Sequence, residues 1–492
     1  MKRRDVIIRG VAATVTVGLG AGGARSQTPR VRREVNSMQS SDPFFANYAR
    51  AIKRMHELPA SDGRNWRNQA LVHLNHCKHS GADFPHWHRH YLANFEAICV
   101  ELSGDPGFAL PYWNWSSNQG RIPDPFYDLA DLDVAKLNDP SNASSPNWGP
   151  WPVNSTARRG LPKGRGLLDD PQRKGAFTAD RISAIQSSSS YPNYVGQLEG
   201  SPHNTGHVVA GAGGGHMGDG MSPLDPIFWL HHCNVDRLWA QWQDSGNKTP
   251  DFNGNYSGNF VDAKGQPVMT ATSAGAQKIA SFGYTYDTLT KPPVAATASA
   301  LGLALPSGAT ATPAKPAGFT TADTSPALIA SLVSTQQVHT GVETRLKVQT
   351  NNLPAWLAQP RAFWSPATPA SPTLLLGSKR VLARIKGIVL PANMRSPVVN
   401  VFVDCPYLSP DTPADDPHYA DSFGFFGKHE HAGHMGGMET IVDLTAAVRR
   451  LQQDGKLQPD NLNVQLMAIP AAGDVAAAPV VFTVGGIELI AA

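Results

Sequence analysis

The stretch from Thr288 to Ala327 divides the chain into two parts, and this division constrains the fold more than any other feature. It consists mostly of alanine, proline, threonine and serine, a composition that does not bury a core and is typical of a linker. The whole chain has 492 residues, more than a single core usually organises. We therefore predict a first domain at residues 27–287, a linker at residues 288–327 and a second domain at residues 328–492.

The second part alternates apolar and polar residues with the period of a β-strand. "GVETRLKVQ" places Val342, Thr344, Leu346 and Val348 on one face. The segments "VVNVFVDC", "NVQLMAIP" and "VVFTVGGIELI" are similarly strand-like. One helix is predicted in "DLTAAVRRLQQDG", which ends at Gly455. Short strands at these intervals predict a β-rich, sandwich-like domain.

The first 26 residues, "MKRRDVIIRGVAATVTVGLGAGGARS", have the pattern of an export signal. Arg3 and Arg4 precede a weakly apolar run with small residues near its end, which predicts a twin-arginine signal removed near Ser26. A membrane anchor is the alternative, but Arg9 and several glycines interrupt the run, and a spanning helix needs about 20 mostly apolar residues. We expect a periplasmic or extracellular protein without stable membrane insertion.

Charge and cysteine content weigh against two classes of protein. The chain has 42 basic and 39 acidic residues and a net charge of +3, too even a balance to suggest a nucleic-acid partner. Four cysteines in so long a chain do not make a disulfide scaffold. We interpret Cys99, Cys233 and Cys405 as buried structural residues, whereas Cys77 lies among histidines.

Histidines concentrate in two stretches of the first domain. The stretch "HLNHCKHSGADFPHWHRHYLANFE", residues 73–96, holds six of them. Further along, His203 and His207 are four residues apart, so on a helix they share one face. Such a pair alone is a weak sign of a metal site, but His231 and His232 follow in "DPIFWLHHCNVD". The pattern favours a metal site and leaves open which histidines bind.

The segments "HSGADFPHWHRHYLANFE" and "DPIFWLHHCNVD" resemble the paired signatures of the tyrosinase, catechol oxidase and haemocyanin superfamily of type-3 copper proteins. The fixed positions of the first signature are all present as His79, Phe84, Trp87, His88, Arg89 and Glu96. The second signature selects His232 over His231. The resemblance covers residues 30 to 290. It implies a mainly α fold, with a four-helix-bundle dicopper core and long loops, followed by the β-rich domain.

The resemblance also implies three histidines for each of two copper ions, and imidazole is a ligand that suits copper. The implied ligands are His73, His79 and His88 for the first ion and His203, His207 and His232 for the second. His76 is the alternative to His73. We prefer His73, because it lies on the helix face that points inward. Six histidines in two sets are unusual for a structural zinc site. We expect His86 and His90 to lie beside the ligands or at the surface, and His216 in a solvated loop.

Cys77 stands two residues before His79. Fungal members of the family carry Cys-x-His here, with a thioether bond between the sulfur and the histidine ring. The resemblance therefore implies a thioether between Cys77 and His79, which would hold the ring in place. The alternative is a buried small apolar residue, as most free cysteines are.

The function implied by the resemblance is copper-dependent oxidation of phenols by O2, with hydroxylation of monophenols and conversion of o-diphenols to o-quinones. Glu199 and Asn204 match positions at which family members hold a water that acts as base. Alternatively, Glu199 is an ordinary carboxylate at a helix start and Asn204 a solvent-facing amide. Catechol oxidation alone and a haemocyanin-like O2 carrier are the other functions that remain. The expected partners are a small phenol and O2.

Predictions also follow for three further groups of residues. The charged residues of the signatures are expected to be buried and paired, and they are Arg89, Glu96, Asp236 and Arg237. Long family members often insert a C-terminal side chain into the copper pocket, and the candidates here are Phe423, Phe425 and Phe426. The tract from His429 to Met438 is either a transient copper site or a solvated loop.

Overall fold

The structure is a computed structural model. It describes residues 29–79, 81–137, 156–212, 214–250, 252–289, 327–358, 361–365, 373–377, 379–391, 397–426, 438–469 and 481–491. The predicted export signal at residues 1–26 lies outside the described residues. The same holds for the tract from His429 up to residue 437 and for all but the ends of the predicted linker.

The first part of the chain is helical, as predicted. Its helices are α1 (Pro43–Glu57), α2 (Trp66–His76), α3 (Asp83–Ser103), α4 (Pro125–Asp128), α5 (Val134–Leu137), α6 (Ala179–Gln186), α7 (Tyr191–Leu198), α8 (Asn204–Gly211) and α9 (Ile227–Asp244). A π-helical turn, Glu199–His203, joins α7 to α8. Residues 29–289 are called the helical unit below.

Local sequence explains where the main helices begin and end. The side chain of Asp42 accepts a hydrogen bond from the Phe44 amide at the start of α1, and Asn65 does the same for α2. These side chains satisfy amides that have no partner within the helix. Helix α3 ends at Gly104, whose φ of 73° favours glycine.

A buried charged cluster joins the helices to the ends of the unit. Strand β1 (Arg30–Arg32) pairs in parallel with β2 (Tyr284–Tyr286). The Arg32 guanidinium lies 2.9 Å from Glu96 and 3.5 Å from Asp236, and Arg89 lies 2.5 Å from Asp236. The prediction of buried, paired charges is confirmed for Arg89, Glu96 and Asp236. Arg237 differs, because its guanidinium bonds the amide oxygen of Asn234.

The C-terminal part is a β-sandwich, as predicted, and residues 327–491 are called the C-terminal unit below. Its strands are β3 (Ala327–His339), β4 (Glu343–Gln349), β5 (Arg361–Ser365), β6 (Thr373–Gly377), β7 (Val381–Ile388), β8 (Val398–Val403), β9 (Tyr419–Gly424), β10 (Met438–Asp443), β11 (Asn461–Ile469) and β12 (Val481–Ala491). Two four-stranded sheets have the orders β10-β7-β12-β3 and β4-β11-β8-β9, and β5 pairs with β6. One buried apolar cluster draws residues from both four-stranded sheets.

Two helices accompany the sandwich, α10 (Leu353–Ala358) and α11 (Thr445–Gln453). Helix α11 is the one expected from sequence, and Gly455 follows it with a φ of 66°. The predicted face of β4 is correct for Thr344, Leu346 and Val348, which are buried. It is wrong for Val342, which precedes the strand and is 55% exposed, because the turn before β4 ends the alternation.

The two units meet along a 3-10 turn (Lys174–Phe177), α7, the π-helical turn and α8 on one side and β9 and β10 on the other. Arg181 and Asp421 form a buried ion pair of 2.6 Å across this boundary. The Ser201 hydroxyl also donates to Asp421.

Among the described residues, every helix falls short of the length and apolar character that crossing a membrane requires.

Candidate metal centre

Two groups of histidines lie inside the helical unit. The first group contains His73, His79 and His88, and the second contains His203, His207, His231 and His232. Within each group, the nitrogens that could bind a metal all lie within 4.8 Å of one another. All of these side chains are buried except His79, which is half-buried.

The helices explain how the second group converges. His203 ends the π-helical turn and His207 lies one helical turn further on, in α8. The Nε2 atom of His232, on α9, lies 3.4 Å from Nε2 of His203 and 3.2 Å from Nε2 of His207. Three Nε2 atoms therefore point toward one small volume, an arrangement that suits a single metal ion.

The Nδ1 atoms of three histidines are held by backbone carbonyls of the helical unit. His73 Nδ1 pairs with Gly220 O, His88 Nδ1 with Phe84 O and His207 Nδ1 with Met217 O, each at 2.8 Å. A carbonyl oxygen only accepts, so each Nδ1 carries the proton and each Nε2 keeps a lone pair for a metal.

Burial keeps these rings neutral. Removal from water lowers the pKa of His73 to about 4 and lowers the pKa values of His88, His203, His207 and His232 well below the ordinary value. Within the described part of the chain, the buried Nε2 atoms of His73 and His88 have no hydrogen-bond partner. Neutral, buried and unpartnered ring nitrogens fit a metal ion.

His231 is close to the second group but is held differently. The indole N–H of Trp115 donates to its Nδ1 at 3.1 Å, which occupies that lone pair. The ring packs over Gly206, where an added Cβ would come within 2.7 Å of it. Its Nε2 therefore bears the proton, so the structure favours His232 over His231 as a ligand.

His73 and His76 also differ in their surroundings. His73 is buried and its ring centroid lies 5.7 Å from that of His88. His76 is the last residue of α2 and its side chain is exposed. Cys77 is buried just beyond, with Sγ 3.3 Å from Nδ1 of His79.

The other histidines are less exposed than the sequence suggests. His86 is buried against Trp239, with ring centroids 4.5 Å apart, and Nε2 of His90 lies 2.9 Å from the Thr272 carbonyl. The prediction of a solvated His216 is wrong, because its side chain is buried and desolvation lowers its pKa to about 4. A short 3-10 helix turns this loop inward.

One phenylalanine of the C-terminal unit reaches the histidines. The Phe426 ring stacks on that of His207, with centroids 3.5 Å apart and an angle of 9°. It also lies 5.5 Å from His79 and 5.9 Å from His73. Phe423 and Phe425 instead belong to the apolar cluster of the sandwich, so only Phe426 of the three candidates faces the centre.

Glu199 and Asn204 lie at the two ends of the π-helical turn, and both are buried. The alternative interpretation of Asn204 as a solvent-facing amide is therefore wrong. The Asn204 Oδ1 lies 2.9 Å from Nδ1 of His203, and its Nδ2 donates to the Gly424 carbonyl at 3.0 Å. Sequence reasoning missed Gly424, Gly220 and Met217, because a backbone carbonyl is present in every residue and leaves no signal.

Residues 47–245 match the common central domain of tyrosinase. Over 203 residues the chain is 32% identical to the tyrosinase of Streptomyces antibioticus, a match that covers 37% of this chain and 71% of that protein. The chain belongs to the tyrosinase family. The predicted family is confirmed, and so is the predicted cofactor, a pair of copper ions, because the family is one of dinuclear copper enzymes. The two histidine groups are of a kind that could bind the metal.

Other tyrosinase-family relatives are matched over part of their length. The chloroplastic polyphenol oxidase of Spinacia oleracea is 30% identical over 282 residues, which are 49% of this chain and 44% of that protein. The tyrosinase HcTyr1 of a Hahella strain is 29% identical over 308 residues, and 62% of it is covered. The chain thus spans between two fifths and two thirds of these two relatives.

Solved structures share the fold across both units. Latent aurone synthase, a polyphenol oxidase, superposes with a TM-score of 0.58 at 19% identity, over 94% of this chain and 90% of that one. A functional unit of octopus haemocyanin gives 0.51 at 16% identity, over 92% and 99%. The tyrosinase-type arrangement of a helical unit followed by a β unit is therefore confirmed.

Proposed function

We propose that this chain oxidises phenols with O2, converting o-diphenols to o-quinones and hydroxylating monophenols. The observation that carries the proposal is the convergence of neutral imidazole nitrogens in two adjacent buried groups of a tyrosinase-family chain. The proposed ligands are His73, His79 and His88 for one copper ion and His203, His207 and His232 for the other. When bound, the copper pair supplies the redox chemistry that lets O2 accept electrons from the phenol.

The protein residues hold this centre dry and rigid. The Nδ1 hydrogen bonds orient the rings, and the Phe228 ring packs 4.3 Å from that of His232. Such preorganisation limits the rearrangement needed when the copper centre reacts. Glu199 and Asn204 are proposed to orient the water that removes the phenol proton, and their burial beside His203 supports this role.

Phe426 is proposed to keep the enzyme latent. Its ring covers His207 where a phenol ring would have to approach, so substrate access requires this segment to move. The structural similarity to a latent polyphenol oxidase supports the proposal.

We also propose domain limits at residues 27–287 and 328–492, with a linker at residues 288–327 between them. The end of β2 at Tyr286 and the start of β3 at Ala327 support these limits. Export by the twin-arginine route to the periplasm or the outside of the cell is proposed from Arg3 and Arg4 and the run that follows.

Oxygen consumption by the copper-loaded full chain tests the activity. We expect uptake with an o-diphenol and, after a lag, with a monophenol, and little uptake for a His88→Ala variant. Uptake with the o-diphenol alone would restrict the function to catechol oxidation. The haemocyanin-like fold makes an O2 carrier the second candidate, and reversible O2 binding without turnover of either phenol would favour it.

A further inference from the structure

One proposed ligand is oriented by a side chain rather than by a backbone carbonyl. The Nδ1 atoms of His73, His88 and His207 meet carbonyl oxygens, which can only accept. His203 differs, because its Nδ1 faces the side-chain amide of Asn204 at 2.9 Å. An amide accepts through its oxygen and donates through its nitrogen, so its rotation decides which tautomer of the histidine it favours.

Gly424 of the C-terminal unit decides that rotation. Its carbonyl lies 3.0 Å from Nδ2 of Asn204 and can only accept, so the NH2 end must face it. The Oδ1 end then faces His203, whose Nδ1 must donate. This leaves the lone pair on Nε2, the atom that lies 3.4 Å from Nε2 of His232. His203 is 0% and Asn204 1% exposed, so little water is available to replace these bonds.

We propose that the Gly424 carbonyl, acting through Asn204, sets the tautomer of His203 and so completes the second copper site. The inference rests on the proposed role of His203 as a copper ligand. Asn204 and Gly424 are positioning residues in this scheme. When Gly424 moves away, the amide can rotate and donate to Nδ1, which places the ring proton on Nε2 in competition with the metal. The C-terminal unit therefore takes part in holding copper as well as covering it.

The packing at Gly424 offers a way to disturb this contact. A Cβ at position 424 would lie 3.2 Å from the backbone C and O of Asn204 and 3.2 Å from the Thr205 amide. Gly424→Ala would therefore push the end of β9 away from α8. Gly485 is a matched control, because a Cβ there would lie 3.3 Å from the Gly387 Cα, within the C-terminal unit and away from Asn204.

The test uses copper-loaded full-length protein and measures copper per chain during incubation with excess EDTA. We expect Gly424→Ala to release one of its two copper ions about tenfold faster than wild type, because loss of a group that orients a metal ligand typically weakens metal affinity by about tenfold or more. Gly485→Ala should behave as wild type. Adding Asn204→Asp to Gly424→Ala should restore retention, because a carboxylate can only accept from Nδ1 and no longer depends on Gly424.

Two results would overturn the proposal. One is wild-type copper retention in Gly424→Ala, and the other is a double variant that loses copper as fast as the single one. If Gly424→Ala fails to fold, nitrogen NMR of the copper-free wild type tests the proposal directly, because it shows which ring nitrogen of His203 carries the proton. A proton on Nε2 would also overturn the proposal. A His203→Ala variant that keeps both copper ions would instead refute the ligand assignment.

Discussion

At the scale of single residues, the histidines of the centre differ in the group that forms a hydrogen bond with Nδ1 of each ring. A backbone carbonyl, an amide or an indole N–H selects which ring nitrogen keeps its lone pair. Trp115 does this for His231 by donating to Nδ1, and Gly220 does the reverse for His73 by accepting from it. Residue type alone therefore does not tell a ligand from its neighbour.

Replacement of His73 or His76 tests which of these two histidines completes the first group. We expect His73→Ala to lose one copper ion per chain, because its Nε2 is buried beside His88 without a hydrogen-bond partner among the described residues. His76→Ala is the matched control and should keep both ions, because its side chain is exposed. Metal analysis of the purified full chains measures the difference, and the opposite pattern would exchange the two roles.

The contact between Cys77 and His79 predicts a covalent bond in the copper-loaded protein. The Sγ lies 3.3 Å from Nδ1, beside the ring carbon that a thioether would use. Formation of the bond removes two hydrogen atoms, with the copper centre and O2 as oxidant. After unfolding, a peptide containing both residues should be lighter by two hydrogens and resist alkylation.

Cys99 serves as the control for this measurement, because it is also buried but should alkylate normally once the chain is unfolded. The Cys77→Ser variant should give the peptide mass calculated from its sequence. Full alkylation of Cys77 in copper-loaded wild type would contradict the thioether.

At the scale of elements, α7, the π-helical turn and α8 form the segment on which the centre and the C-terminal unit both depend. The turn contains Pro202, and its wider helical ring is of a kind often found at functional sites. Glycines let β10 approach this segment closely. A Cβ at Gly200 would lie 2.6 Å from Oγ1 of Thr440, and one at Gly196 would lie 3.1 Å from Cδ1 of Ile441.

The position of Phe426, just after β9, predicts that this residue limits substrate access to the metal centre. Phe426→Ala in the full chain should raise kcat/KM for an o-diphenol severalfold, because it removes the ring stacked 3.5 Å from that of His207. Phe426→Leu should give a smaller increase, since it retains most of the apolar volume. Oxygen uptake measures both.

Tyr407→Ala is the control for this series, because Tyr407 is an aromatic residue of the same unit that is 57% exposed. It should leave the rate unchanged. Equal rates for wild type and Phe426→Ala would mean that Phe426 does not limit substrate entry.

At the scale of the whole molecule, a buried ion pair joins the two units. Arg181 and Asp421 lie 2.6 Å apart with little exposure of either side chain. Arg181→Met leaves the carboxylate buried without its cation, and removal of one partner of such a pair typically destabilises by about 3–5 kcal/mol. We expect a lower unfolding midpoint in denaturant together with a higher basal rate of o-diphenol oxidation, because the boundary loosens.

Lys174 offers a matched control at the same boundary. It pairs with Asp415 at 2.6 Å, but the carboxylate is 64% exposed, so Lys174→Met should change stability by about 1 kcal/mol or less. If Arg181→Met and Lys174→Met behave alike, the buried pair does not hold the units together.

The sequence by itself determined the strands of the sandwich and the histidines that concentrate in two stretches, because each depends on residue types at short, regular spacings. The helical unit was implied by the resemblance of the two histidine-containing signatures to a known family. The period of two marks β4, the spacing of four places the rings of His203 and His207 beside each other, and Gly455 follows the end of α11. Such patterns are local, so they can be recognised in a single sequence without the structure.

Only the tertiary structure decided which candidates face the centre and what orients them. It placed Phe426 rather than Phe423 against His207 and buried His216 in a loop that reads as polar. It also brought the Gly424 carbonyl to Asn204, 220 positions away along the chain. These contacts join distant segments, often through backbone atoms common to all residues, so their chemistry exists only once the two units pack together.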